Sequence, residues 1–407
     1  RMKRYPAFEP PEYAAWQADP ALVDAFRHTV NRVPERQEVV ARLSRDELLT
    51  LYARLIRARQ HDIALSRWVR QGVISKAWLG TGEEAATVGP VFALDPAADF
   101  VSPMIRNAAA CCDMGMPLAD MFRAYLATAD SPSAGRDLHA GSPAHHVLQP
   151  VSPVGVMVPV SAGIALAGRI TGSKRVVMNW VGDGSAKSGA SHEGLNFAAV
   201  QRLPVVYILQ NNQVALGTRL EQHHAGGDFA DWPQAYGMAG WGFDGNNVLD
   251  AYAAAVLAVE RCRRGEGPVL LLATTFRMGG HATHDEREAR ATFPAELFAY
   301  WGKRDPIALY EEYLKGAGVS EAELEGVESA ATAVVEAAAE AAELGARVTI
   351  ASNPAVRGDA LAGVLIAEAA TAAAVSLIEI NLAGRDDADL ARARDARRRA
   401  QEAREDA

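Results

Sequence analysis

The chain has 407 residues, 49% of them hydrophobic, and a formal net charge of -9 from 41 basic and 50 acidic side chains. That length allows two or three domains, or one large α/β domain with extensions. Acids and bases are mixed along the chain, and no basic stripe points to nucleic acid as a partner.

Three cysteines (Cys111, Cys112, Cys262) supply neither a disulfide framework nor metal-ligand spacing, and they point to a reducing, cytoplasmic setting. The start, RMKRYPAFEPPEYAAW, lacks the apolar core of a secretory signal. The longest uncharged stretch, Val151 to Gly168, is broken by Pro and Gly. It falls short of the roughly 20 clean apolar residues of a membrane span.

In chain order, residues 1–45 read as a polar, Pro-containing arm. Ser44 is an N-cap candidate for a helix with acidic residues in its first turn, and Gly72 follows its end. KAWLGTGEEAATVGPVFAL predicts a Gly-rich turn and then a helix. DFVSPMIRNAAACCDMG predicts a strand end, a loop and a helix, and residues 128–153 read as loop. VMVPVSAGIALAGRITG is a small-residue helix suited to close packing.

From residue 174 apolar runs alternate with helices. RVVMNWV, PVVYILQ and PVLLLATTF are the runs; GASHEGLNFAAVQR and VLDAYAAAVLAVERCRRG are the helices. Continuous Val/Ile/Leu runs of this kind predict an α/β fold, a parallel sheet covered by helices on both faces. Past residue 318 the chain becomes Ala/Glu-rich. A break at TIASNPAVRGD leads to a second small-residue helix and a charged end. The expected organisation is an arm (1–45), an α/β domain (46–318) and a helical C-terminal extension (319–407).

In parallel sheets, ligands gather at the carboxyl ends of the strands. Here one run ends in Gly182-Asp183-Gly184, and the next in Asn211-Asn212. One helix and one strand separate them, so both land at the top of neighbouring strands. Asp183 offers a carboxylate and Asn212 an amide oxygen. A backbone carbonyl just beyond, such as that of Val214, adds a third oxygen. Hard cations such as Mg²⁺ take all-oxygen ligand sets, commonly completed by phosphates. The glycines permit close backbone approach, and the helix after Gly184 aims its amide end at the anion. Either motif alone also reads as a plain turn.

This stretch resembles the thiamine-diphosphate-binding fingerprint. GTGEEAATVG, IRNAA, SPVGVMVPVSAGIALAG, EGLNFA and FRMGGHATHD follow in the order found in the α subunit of 2-oxo acid dehydrogenases of the pyruvate and branched-chain type. The resemblance covers about residues 40–315. It implies the diphosphate-binding domain of the thiamine-diphosphate-binding fold, with thiamine diphosphate and Mg²⁺ as cofactors.

It further implies Asp183, Asn212 and the Val214 carbonyl as Mg²⁺ ligands, Val standing where the family usually has Tyr. Gly182, Gly184 and Ser185 would meet the diphosphate through their backbone. Arg106 and Arg277 would hold the diphosphate, and Ser152 and Val154 would line the cofactor's rings. His281 would contact both the diphosphate and the reacting substrate, as the catalytic group. Ile105 stands where a Tyr usually precedes the Arg, which widens the space beside it. Ala282 follows the loop His, where mammalian relatives carry a phosphorylated Ser, so that switch is absent.

A Glu for the aminopyrimidine and a second clamping domain come from a β subunit in this family. The resemblance therefore implies an incomplete catalyst: one half of an α2β2 heterotetramer that decarboxylates a 2-oxo acid and passes the acyl group to a lipoyl-bearing acyltransferase. An acetoin-cleaving dehydrogenase α subunit shares these motifs. A non-catalytic scaffold using the helical tail is the reading from another class. His139 reads equally as a group touching the site or as a loop histidine; the pairs His145/His146 and His223/His224 read as loop histidines, Glu193 as structural and Trp180 as core. The tail faintly resembles the formiminotransferase-cyclodeaminase family, with Asn353 and Asp359 as candidate relics of a site; a packing or oligomerisation appendage is its expected role.

Overall fold

The computed structural model describes residues 2–351 and Arg398. Asn353, Asp359, the second tail helix and the charged end lie outside the described residues.

Five parallel strands form the central sheet: β1 (Phe100–Ser102), β2 (Val177–Gly182), β3 (Val205–Asn211), β4 (Ala239–Asp244) and β5 (Val269–Thr274), in the order β1-β2-β3-β5-β4. The three apolar runs of the sequence are β2, β3 and β5. Alternate side chains of these strands face opposite layers. Val177, Val181, Tyr207, Leu209 and Leu270 meet the helices Met157–Ile170 and Gly189–Gln201. Met178, Trp180, Val206, Ile208 and Leu271 meet the helices Ala85–Phe92 and Val248–Arg263. Both faces are thus covered, and an all-apolar strand is the consequence. Trp180 is a core residue whose Nε1 donates to the Ala86 carbonyl at 2.9 Å.

Small residues let the covering helices sit close. At Gly194 a Cβ would meet the Pro159 backbone nitrogen at 2.6 Å, and at Gly89 the Val248 carbonyl at 2.7 Å. The long helix Arg45–Gln71 opens with the expected cap. The Ser44 side chain accepts from the Glu47 amide, Glu47 accepts from the Ser44 amide, and Gly72 closes the helix at φ 75°.

The N-terminal arm carries three helices, Pro11–Ala14, Pro20–Asn31 and Pro34–Ala41, each with Pro in its first turn. It is tied down by buried charge. Arg59 donates to Glu9 at 3.1 Å and Asp305 at 3.2 Å and also meets Glu84, while Arg4 donates to Asp305 at 2.6 Å. The helix Glu321–Ala351 packs Val335 and Ala342 against Leu65, Trp68 and Phe122. No helix among the described residues is long and apolar enough to cross a membrane.

Candidate cofactor and active site

The site follows from strand register. Gly182 of β2 pairs with Gln210 of β3, and Asn211 of β3 pairs with Thr274 of β5. Asp183, Asn212 and the segment leading to Arg277 therefore leave the sheet along one edge. Asp183 is 2% exposed, and its Oδ2 has no hydrogen-bond partner. Burial pushes its carboxyl up to about 6, opposed by a bond from the Gly184 amide and reinforced by the nearby Glu83 charge. A buried carboxylate oxygen with no donor is what a cation ligand looks like without its cation.

Asn212 is also buried. Its Nδ2 donates to Glu83 Oε1 at 2.9 Å, and its Oδ1 accepts from the Val214 amide at 3.3 Å. Val214 begins a two-residue hairpin, Val214–Ala215 with Thr218–Arg219, that folds over the Gly-Asp-Gly turn. Ala215 sits where a side chain on Gly184 would be, so Gly184 is required by packing. Gly182 has room for a Cβ, its nearest neighbour there being Met104 Sδ at 3.6 Å.

The helix after Gly184 starts later than the sequence suggests. A 3-10 turn, Ser185–Lys187, comes first, and the helix Gly189–Gln201 begins behind its own cap, the Ser188 side chain accepting from the Ser191 amide. Asp183 and Ser185 thus face a short turn, because Ser188 claims the helix start.

Two guanidiniums stand opposite. Arg106 is 8% exposed and donates to the Leu79 carbonyl at 2.9 Å, to Glu83 Oε2 at 3.4 Å and to the His281 carbonyl at 3.2 Å. Arg277 is 2% exposed and donates to the Leu216 carbonyl at 2.7 Å. Burial, then the field of Arg106, lowers Arg277 to about 10. Two mutually repelling buried cations beside a carboxylate with one oxygen free of hydrogen bonds suit a metal-bound polyanion.

His281 lies between them, half-buried, with Nδ1 3.5 Å from Arg106 Nη2. Its loop is pinned by Asp285, which accepts from the His281 and Ala282 amides at 3.2 and 2.9 Å. Burial, Arg106 and Arg277 press the imidazole down to about 4.

Ser152 and Val154 are not gathered with these groups into a closed site. They stand on an exposed turn before the helix Met157–Ile170, and Val154 is 62% exposed. Ile105 opens a 3-10 turn that carries Arg106 inward.

Three polar residues around Asp183 carry no signal as site residues in the sequence. Glu83 receives Asn212, Gln210 and Arg106 together. His223, a loop histidine by sequence, ends the short helix Leu220–His223 with Nε2 3.6 Å from Asp183 Oδ2. Lys187 lies within reach of the Asp183 field; its Nζ is 2.6 Å from His224 Nδ1 and 4.3 Å over the Phe229 ring. The fold alone brings these groups together.

The family model described as dehydrogenase E1 component matches residues 52–350. The chain belongs to that family. The 2-oxoisovalerate dehydrogenase subunit alpha of Bacillus subtilis (strain 168) is 35% identical over 286 residues, covering 70% of this chain and 86% of that protein. The pyruvate dehydrogenase E1 component subunit alpha of Bacillus cereus is 32% identical over 306 residues, 73% and 79% of the two chains. This is a family of thiamine-diphosphate enzymes whose α subunits work with a β subunit in a complex. A second model, formiminotransferase-cyclodeaminase, matches residues 312–400, in keeping with the resemblance seen in the tail.

Proposed function

We propose that this E1 α chain anchors thiamine diphosphate through Mg²⁺ at the sheet edge and, with its β subunit, oxidatively decarboxylates a 2-oxo acid, either branched-chain or pyruvate. The observation that carries the reading is the convergence of Asp183, Asn212, Arg106, Arg277 and His281 on one edge, with Asp183 Oδ2 lacking any donor. The α subunits that resemble the chain carry both substrate names.

Bound there, the cofactor supplies the electron sink for decarboxylation. The chain supplies position and charge. Asp183, Asn212 and the Val214 carbonyl hold the cation, and Gly182, Gly184 and Ser185 present backbone to the diphosphate. Arg106 and Arg277 neutralise that diphosphate and keep water from it. Pressed down by burial and by two guanidiniums, His281 is neutral at neutral pH; a polyanion between those guanidiniums would offset their field and raise its capacity to hold and hand on a proton. Ser152 and Val154 line the cofactor's rings from the exposed turn, which the β subunit covers.

The assembly is an α2β2 heterotetramer in the cytoplasm that hands its acyl group to a lipoyl-bearing acyltransferase. Residues 46–318 form its α/β unit, 1–45 the arm and 319–407 the extension. The test is co-purification with the β partner, followed by dye reduction dependent on thiamine diphosphate, Mg²⁺ and one of a panel of 2-oxo acids. Turnover of a branched-chain 2-oxo acid or pyruvate supports the reading. A complex that cleaves only acetoin, or a chain that binds no thiamine diphosphate, overturns it.

A further inference from the structure

Glu83 is 1% exposed and belongs to the loop before the helix Ala85–Phe92, far in sequence from the strands it serves. Its Oε1 accepts from Gln210 Nε2 at 2.5 Å and Asn212 Nδ2 at 2.9 Å, and its Oε2 accepts from Arg106 Nη1 at 3.4 Å. Gln210 is held from behind, its Oε1 accepting from Asn107 Nδ2 at 2.9 Å, and Asn107 Nδ2 also donates to Thr87 at 2.7 Å. Each of these three partners of the carboxylate is a donor.

An ionised carboxylate only accepts. Asn212 must therefore turn its NH2 end to Glu83 and its oxygen the other way, where it accepts from the Val214 amide. An amide has two ends of nearly equal shape, and only the oxygen binds a hard cation. We infer that Glu83 is a positioning residue: it fixes the polarity of the Asn212 amide so that its oxygen faces the cation, and through the same carboxylate it holds Arg106 beside the His281 loop. The inference rests on Asn212 being a cation ligand. Groups that orient metal ligands from behind commonly matter 10–100-fold in affinity.

The test exchanges the two partners. In Asn212→Asp, a second carboxylate faces Glu83 at hydrogen-bond distance, and like charges that close cannot both stay ionised and in place. A carboxylate is intrinsically the better ligand for a hard cation, yet this change should weaken binding. Adding Glu83→Gln gives the introduced carboxylate a donor from the Gln amide and leaves the Gln oxygen for Arg106; Gln210 then turns its oxygen to that amide, and Asn107 turns its own oxygen to receive the Gln210 NH2 and the Thr87 hydroxyl.

Mn²⁺ in place of Mg²⁺ is titrated by electron paramagnetic resonance into the chain co-purified with its β partner, with thiamine diphosphate present. Fold is checked by circular dichroism and co-elution. The expected result is about 10–100-fold weaker Mn²⁺ binding in N212D and recovery to within about threefold of wild type in E83Q/N212D. A change acting only through stability lowers the melting temperature, and the second substitution adds to the damage. N212D binding Mn²⁺ as tightly as wild type, or E83Q weakening N212D further, overturns the positioning role. Should E83Q alone fail to fold, the comparison of N212D with the double variant still decides. Wild-type protein that binds no Mn²⁺ overturns the ligand reading of Asn212 instead.

Discussion

Replacing Asp183 by Asn should stabilise the cofactor-free chain while removing its cation-dependent gain. The carboxyl is buried, Oδ2 has no donor, and its pKa stands at about 6 against an ordinary 3.8. Burial is the main cause. Holding such a group ionised at neutral pH costs about 3 kcal/mol, at about 1.4 kcal/mol per tenfold change in proton affinity. The sign follows from the direction. A carboxyl raised in the folded state is harmless below its unfolded pKa, and it destabilises progressively as pH climbs from about 4 through 6. Asn keeps an oxygen for the Gly184 amide and carries no charge.

For a unit of this size about 3 kcal/mol corresponds to roughly 5 °C in melting temperature. The assay is thermal melting of cofactor-free wild type and D183N at pH 7.5 and pH 4.5, repeated with Mg²⁺ and thiamine diphosphate. D183N should melt higher at pH 7.5, the gap should shrink to about a third at pH 4.5, and the cofactor should raise only the wild type. A D183N chain that melts lower at pH 7.5, or by the same margin at both pH values, would refute the reasoning and make Asp183 a structural acceptor.

Cation and diphosphate should bind with mutual dependence. Titrating thiamine diphosphate calorimetrically with and without Mg²⁺ should give affinities that differ by at least about tenfold, and the reverse titration the same factor. Asp305→Asn should cost about 3–5 kcal/mol in urea unfolding at pH 7, since it strands Arg4 and Arg59. Asp305 is lowered to about 2 by those guanidiniums, so the gap between wild type and D305N should hold above about pH 4 and close as pH falls toward 2. Gly155→Ala should cost about 1–3 kcal/mol in melting experiments, because φ is 81° there and a Cβ would collide with the Ser188 and Ser191 hydroxyls.

Much of this architecture is written in local pattern. β2, β3 and β5 are continuous apolar runs because both faces of the sheet are covered, and the polar residues closing them mark the ligand edge. The edge strand β4 is not legible. Its sequence AGWGFD carries two glycines and only Phe243 is buried, since one side of an edge strand needs less apolar cover. The helices of the arm are hidden for a related reason: their hold comes from residues far along the chain, Tyr310 and Leu314 packing with Phe26 and Val30, and Asp250 accepting from Arg36. Glu83 is invisible on the same ground. Its partners Gln210 and Asn212 lie 127 and 129 positions downstream. His223 and His224, as sequence neighbours, give no sign that they share a ligand; the short helix that His223 ends brings it alone beside Asp183.

The charges at the sheet edge explain why one ligand would not suffice there. Asp183 and Glu83 oppose Arg106 and Arg277, and all four are at least nine-tenths buried. A cation alone would satisfy Asp183 but add to the repulsion that already lowers Arg277. An anion alone would satisfy the guanidiniums but face an ionised Asp183 at close range. Only a cation carrying an anion would relieve both; on the proposed reading the metal would be held by Asp183 and Asn212 and the anion by the arginines. Glu83 ties the halves together, since one carboxylate oxygen holds Asn212 and the other reaches Arg106. The loop of His281 hangs from the same guanidinium through its carbonyl. On the proposed reading, seating the anion would therefore act on both His281 and Asn212 through one buried side chain.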